Sequence, residues 1–354
     1  MNQTKLQGSS FEGVLLESLL TWSHLEEAYR DKGLVLVLGA GVSLQCGLPS
    51  WEDLLKKLAA RCFGANGHLL FDELRELGYD LPAIAGMIQN SSPADQKYSE
   101  LVRQALYEEF PFFQGGIDKT NRDDFITYVQ SRNSTMRAIA SLCARGDAEG
   151  KHYTTNPLIH GVVTLNVDSV LQAFSYARYK ARLLHTVGRP AAETRPDKIN
   201  VYHMHGYLRF GKGMGDLAKE APDALVFTEQ EYFDFFNRPN SLFNYTFLYL
   251  LREYPCLFVG LSMQDDNIRR LLHYSAIERA QGFKFTGRAA ADGKKSLRHV
   301  AILKKFHVSE VGDQVEESLG YLGTRVGWVD DYAEIPDRLA TIYRSGGGDW
   351  ETVF

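Results

Sequence analysis

The sequence predicts an α/β fold in which helices cover both faces of a doubly wound parallel sheet. Three observations carry this. Short apolar runs rich in β-branched residues recur at His160 to Asp168, Ile199 to Gly206, Cys256 to Ser262 and Arg298 to Lys305. Segments with apolar residues three and four apart separate several of them. An earlier run, "GLVLVLG" at 33–39, is apolar throughout, as a strand covered on both faces must be. Strands alternating with helices build parallel sheets.

The elements follow in order. Phe11 to Tyr29 has helical apolar spacing and predicts an amphipathic N-terminal helix. Its stripe of Leu15, Leu16, Leu19 and Leu20 near Trp22 suits packing within the domain, the favoured contact, or against another subunit. After the first strand, "WEDLLKKLAARCF", "ADQKYSELVRQALYEEF" and "DDFITYVQSRNSTMRAIASLCARG" all show helical spacing. They predict a helical insert module at about 52–150 with no strand in it. Later helices are expected around "VLQAFSYARYK", "SLFNYTFLYLLREY" and "DNIRRLLHYSAIERA", and exposed loops at "GDLAKEAPDA" and "TGRAAADGKK". The organisation expected is an N-terminal helical segment at 1–32, one domain at 33–345 containing the insert, and a tail at 346–354.

Composition narrows the class. Hydrophobic content of 44% and charged content of 23% suit an ordinary soluble globular chain. A formal net charge of −5 argues against a global nucleic-acid-binding surface, so no direct nucleic-acid binding is expected. The first residues, "MNQTKLQGSSFEG", lack a basic segment followed by an apolar one. No apolar run approaches the ~18 residues of a membrane span. A cytoplasmic protein without membrane contact is the expectation. Cys46, Cys62, Cys143 and Cys256 are scattered with no C-x-x-C pair, which argues for reduced thiols and against a structural zinc site.

Chemistry is sought at the strand ends, because ligands of doubly wound sheets sit beyond the carboxyl ends of the strands. Gly39 and Gly41 leave the first strand. They either admit a pyrophosphate to the backbone and the next helix's N-terminus, or supply the φ of a tight turn, and the turn alone favours neither. Leu44 stands where a dinucleotide fingerprint has its third glycine, and no Gly-Lys-Ser/Thr follows. Asn166 ends a second strand, where an amide faces the ligand side and can orient a water or hold a ribose hydroxyl. Asp168 beside it has the alternative role of a helix cap. His203 and His205 alternate on a third strand and so share a face. A metal pair would need a third ligand that the sequence does not supply. Gly206 leaves room beside His205, which favours catalysis there. Gly260 and Ser262 end a fourth strand and suit a ribose contact, while Asp265 and Asp266 also suit helix capping.

Taken in order, Gly39-Ala40-Gly41-Val42-Ser43, Gly47-Leu48-Pro49-Ser50-Trp51, Thr164-x-Asn166-x-Asp168, His205-Gly206 and Gly260-x-Ser262-x-x-Asp265-x-Asn267 resemble sirtuin-like domains. The resemblance runs from about Gly33 to Tyr343 and is closest to the NAD-hydrolysing branch of bacterial anti-phage defence systems. It implies a Rossmann-like sheet, NAD as substrate and no metal. It implies that Ala40, Gly41 and Ser43 contact NAD phosphate and ribose, and that Gly39, Pro49, Trp51, Thr164 and Asp265 also bind NAD. It implies that Asn166 and Asp168 position the nicotinamide ribose and the attacking water, that His205 is the base, and that Gly260 and Ser262 meet the adenosine half. An enzyme that destroys NAD must be restrained, so a homo-oligomer and a separate sensor, such as a DNA-translocating ATPase or an Argonaute-like protein, are the expected partners. Two departures count against a protein deacylase, the first alternative. Leu165 stands where deacylases have Gln, and the four-cysteine zinc ribbon is missing. A second alternative is a non-catalytic subunit that binds NAD or ADP-ribose, which would need no base. An unrelated nucleotide-binding α/β protein would leave the His-Gly after T-x-N-x-D unexplained.

Overall fold

The computed structural model describes residues 11–188, 192–211, 225–231, 233, 242–285 and 297–354, with the backbone alone at 11–19 and 280–285. The strands are β1 (Leu34–Leu38), a hairpin of β2 (Ala144–Gly146) and β3 (Tyr153–Thr155), then β4 (Ile159–Thr164), β5 (Leu184–Val187), β6 (Ile199–His203), β7 (Cys256–Val259), β8 (His299–Lys304) and β9 (Thr324–Val329). Seven of them form one sheet in the order β5-β6-β4-β1-β7-β8-β9, every pairing parallel. Leaving aside the edge strand β5, this is the 3-2-1-4-5-6 order of a Rossmann-like sheet, as expected. The order reverses at β1, which pairs β4 on one side and β7 on the other. A ligand crevice opens at such a switch point.

Successive residues of β1 alternate between two cores, as period-two geometry requires. Leu34, Leu36 and Leu38 face one, Val35 and Val37 the other. All five are buried. Each such side chain contributes about 1.5–3 kcal/mol relative to exposure, so β1 is the fixed reference of the fold.

The first face is covered by α1 (Phe11–Lys32), α2 (Trp51–Phe63), α3 (Gly67–Glu76), α4 (Leu81–Asn90), α5 (Tyr98–Tyr107), α6 (Arg122–Arg132), α7 (Ser134–Leu142) and α8 (Val170–Tyr179). The second face packs against α9 (Leu242–Glu253), α10 (Asp266–Phe285) and α11 (Ser309–Gly320). Two C-terminal helices, α12 (Ile335–Ser345) and α13 (Trp350–Val353), return to the first face. Trp22, Leu25 and Tyr29 of α1 enter the same core as β1, whereas Leu20 is exposed. Leu15, Leu16 and Leu19 lie outside the described side chains. The last residues are docked, because Val353 O accepts from Ser141 Oγ at 3.0 Å and Tyr179 Oη at 2.8 Å.

Several expectations need correction. The insert is not wholly helical, for β2 lies within it and pairs β3. The stretch read as one helix from Asp123 divides at Asn133, whose Oδ1 caps α7 by accepting from Met136 N at 2.8 Å. The run before Asp168 ends as a strand at Thr164, and that before Gly206 at His203. Strands β5 and β9 are not foreseen, since four residues are too few for a period and a glycine interrupts TRVGWV. The loops expected at 215–224 and 286–295 lie outside the described residues.

The loops after β1 and β7 meet backbone to backbone. A Cβ on Gly39 would lie 2.5 Å from Gly260 O, and one on Gly260 would lie 2.7 Å from Val42 N. Gly260 also has φ +71. Gly260→Ala therefore meets both a clash and left-handed strain of about 1–3 kcal/mol. Denaturant unfolding should show a loss of at least that size, and an unchanged midpoint would refute this account of the contact.

Candidate functional site

Because the sheet is parallel, the carboxyl ends of β6, β4, β1 and β7 are neighbours on one rim. Thr164 pairs with His203, and Leu38 with Thr164, so the chains that leave these strands start at one level. After β1 the chain makes two short 3₁₀ turns, Ala40–Val42 and Leu44–Cys46, rather than entering a helix directly. Gly47 reverses it with φ +81, and Ser50 caps α2 by accepting from Asp53 N at 3.1 Å. Ala40 and Gly41 are exposed. Among the described residues no acceptor takes the Ala40 N–H. The turn thus offers the rim backbone and one methyl group.

Ser43 is buried behind that turn. Its hydroxyl donates to Asp168 Oδ2 at 2.7 Å and accepts from Asn166 Nδ2 at 3.1 Å. Asn166 Nδ2 also donates to Gly39 O at 3.0 Å. A carbonyl can only accept, which fixes the amide's orientation. Both amide hydrogens are therefore spent on the β1 turn, and Oδ1 takes no protein donor among the described residues. The half-buried Asn166 so presents an acceptor at the rim. Thr164 supports it by accepting from Asn166 N at 3.0 Å. Asp168 is buried and fully engaged, because its Oδ1 accepts from Val170 N at 3.0 Å at the start of α8. Burial raises its pKa, and the Ser43 and Val170 hydrogen bonds oppose the rise. The N-cap of α8 is Ser169, so Asp168 stands one residue before the cap position expected of it, and it touches the rim only through Ser43.

The two histidines do not share a face of the strand. β6 ends at His203, and the chain then turns, with Gly206 at φ +93. His203 Nδ1 donates to Asn166 O at 2.8 Å, and its Nε2 lies 2.6 Å from Gln172 Nε2, which can only donate. Both ring nitrogens are thus committed, which removes His203 as a metal ligand. Among the described residues no group of three or more His, Cys, Asp or Glu could hold a metal ion. Burial lowers the His203 pKa to about 4, with the Asn166 bond opposing. His205 is 9% exposed. Its pKa is lowered, first by burial, with the Asp265 carboxylate opposing. Asp265 also caps α10, accepting from Ile268 N at 2.9 Å.

The insert holds the rim from behind. Asn133 Nδ2 donates to Val42 O at 2.7 Å, and Tyr128 Oη to Cys46 O at 3.0 Å. Tyr107, at the end of α5, donates to Leu208 O at 2.6 Å and accepts from Ser169 N at 2.9 Å. It ties the His205 loop to the Asp168 loop. Trp51 stacks edge-on against Phe227 with centroids 4.4 Å apart, and Val226 N donates to His205 O at 3.1 Å. Burial pushes the Cys46 thiol up to about 12, so it is no nucleophile near neutral pH.

The residues named from sequence thus separate. Ser43, Thr164, Asn166 and Asp168 form one bonded cluster with the Gly39 carbonyl. Asp265 accompanies His205. Gly39, Gly41 and Gly260 are required by contact between their own loops. Pro49 and Trp51 are half-buried at the cap of α2, and Ser262 is exposed beside Met263, whose φ is +60. Sequence reasoning missed Gln172, Tyr107, Tyr128 and Asn133. A polar residue facing the core of a helix is the one signal that could have found Gln172 and Asn133.

Residues 160–309 match a family model described as a SIR2-like domain. No curated protein matches the chain. The match supports a sirtuin-like domain and contains Thr164, Asn166, Asp168, His205, Gly260, Ser262 and Asp265. The β1 turn and the insert precede it. SIR2-like domains bind NAD, so the match suggests NAD-related activity.

His203 is neutral when folded and protonates near its ordinary value, about 6.5, when unfolded. The unfolded chain then binds more protons, so stability falls as pH drops from about 6.5 towards about 4. The slope from one such group reaches about 1.4 kcal/mol per pH unit. Denaturation across that window should give a shallower slope for His203→Gln than for wild type, and parallel slopes would contradict the assignment.

Proposed function

We propose that this protein hydrolyses NAD at the bond between nicotinamide and ribose, giving nicotinamide and ADP-ribose. The observation that carries the reading is the Asn166 amide. Its donors are pinned by Gly39 O and Ser43 Oγ, which leaves Oδ1 as an acceptor just beyond β4, the strand next to the one that leads to His205. An acceptor held in this way suits a ribose hydroxyl or an attacking water. The backbone of Ala40 and Gly41 suits the pyrophosphate, because no side chain larger than methyl stands there.

The chemistry asks little beyond position. Nicotinamide leaves as a neutral pyridine, and positive charge gathers on the ribose. As the C–N bond breaks, the water oxygen bonds to the same carbon and gives its proton to the neutral imidazole of His205. That proton then passes to solvent. Asp168 and His203 are positioning residues, which act through Ser43 and the Asn166 main chain. We place this activity in anti-phage defence, restrained by assembly or by a separate sensor protein. Sequence resemblance alone supports that setting.

His205→Ala and Asn166→Ala should each lose most NAD cleavage. A general base supplies roughly 10²- to 10⁴-fold, so the His205 variant should fall by that factor while keeping much of its NAD affinity. Chromatography of products from purified protein measures this. Wild-type turnover in both folded variants would reject the reading.

The base must be neutral to act, so activity should rise with pH through the pKa of His205, which burial holds below its ordinary value. Asp265 favours the charged imidazole. Asp265→Asn should therefore move the acidic limb of the pH–rate profile to lower pH. A limb unmoved, or moved to higher pH, would separate His205 from the titration.

A further inference from the structure

We propose that the cavity between α2, α5 and the loops at 113–115 and 209–211 is a second binding site, for a phosphate-bearing small molecule up to nucleotide size. The cavity measures about 880 Å³, within the range of roughly 300–1,000 Å³ typical of small-molecule sites. None of its lining residues belongs to the rim of Asn166 and His205. Tyr107 stands between the two, its ring stacked on Phe113 with centroids 5.7 Å apart and its hydroxyl bonded to Leu208 O and Ser169 N. The proposal goes beyond the NAD reading and does not depend on it.

Three guanidinium groups line the space: Arg61, Arg103 and Arg209. The two carboxylates in the same wall are already compensated. Glu100 is gripped by Arg103 through Nε at 2.7 Å and Nη2 at 2.6 Å. Glu108 is paired with Arg61 and with Lys57, the latter at 3.0 Å. Arg209 differs. It is half-buried, and among the described residues it makes no hydrogen bond or ion pair. A guanidinium carries five donors in a planar fork, so Arg103 and Arg61 keep donors beyond those spent on their carboxylates. Partly desolvated donors without acceptors are costly, and an oxyanion offsets that cost. Phosphate fits better than a single carboxylate. It can take the Arg209 fork with two oxygens and still accept from a neighbouring arginine with a third.

Calorimetric titration of the full chain with ADP tests this, with inorganic phosphate and citrate as comparison probes. We expect Arg209→Ala to weaken ADP binding by at least roughly 10-fold, about 1.4 kcal/mol. Arg209→Lys should weaken it less. Arg103→Gln gives an independent second reading and should also weaken ADP. ADP binding lost in Asn166→Ala but intact in Arg209→Ala would assign the nucleotide to the rim and overturn the proposal. So would no detectable binding of ADP or phosphate to wild type, and citrate binding as tightly as ADP would overturn the choice of phosphate. Arg209 and Arg103 line the cavity and not the rim, so the effect of their variants on binding is separate from the turnover outcome for His205 and Asn166.

Discussion

The hydroxyl of Ser43 joins two loops that the sheet merely brings near each other. It gives its hydrogen to Asp168 and accepts from Asn166. Replacing either partner would leave a buried polar atom unmatched, at a cost of about 1–3 kcal/mol. The consequence for the rim is directional. With the amide held by Ser43 and Gly39 together, Asn166 can turn only an acceptor outwards. A residue placed at a strand end becomes a reagent of defined polarity because a second strand's loop holds it.

The glycines of the opening turn have a different origin from the one their motif suggests. Gly39, Gly41 and Gly260 close the gap between the loops after β1 and β7, where the strand order reverses. That contact leaves no space for side chains between the loops, and it exposes the Ala40 and Gly41 backbone on the other side. One packing requirement therefore also creates the surface that a pyrophosphate could approach. The helical insert reinforces it through Asn133 and Tyr128, which take the carbonyls of Val42 and Cys46 as acceptors. These are among the buried backbone groups that would otherwise go unpaired.

His203 and His205 show how environment divides one residue type into two roles. His203 spends both nitrogens inside the protein, and burial keeps it neutral far below the ordinary range. It holds the Asn166 main chain. His205 follows a turn, and a carboxylate from the β7 side moderates its burial. Two residues of separation on a continuing strand would have made them equivalent. The strand ends at the first, so they are not.

Local periodicity was enough for much of this protein. The all-apolar run of β1, the strand runs from His160, Ile199, Cys256 and Arg298, and the helical spacing between them specified a doubly wound sheet and put Gly39, Asn166, His205 and Gly260 near strand ends. Side-chain period is a property of neighbours in the chain, so it can be read without a fold. The partnerships cannot. Ser43 and Asp168 are 125 residues apart, and Asn133 and Val42 are 91 apart. Which of these residues meet depends on strand order and on where each strand stops. Short β5, glycine-interrupted β9 and the break at Asn133 were hidden for the same reason. Pairing with a neighbouring strand, or a distant carbonyl to hold, decides them, and those partners exist only once the chain has folded.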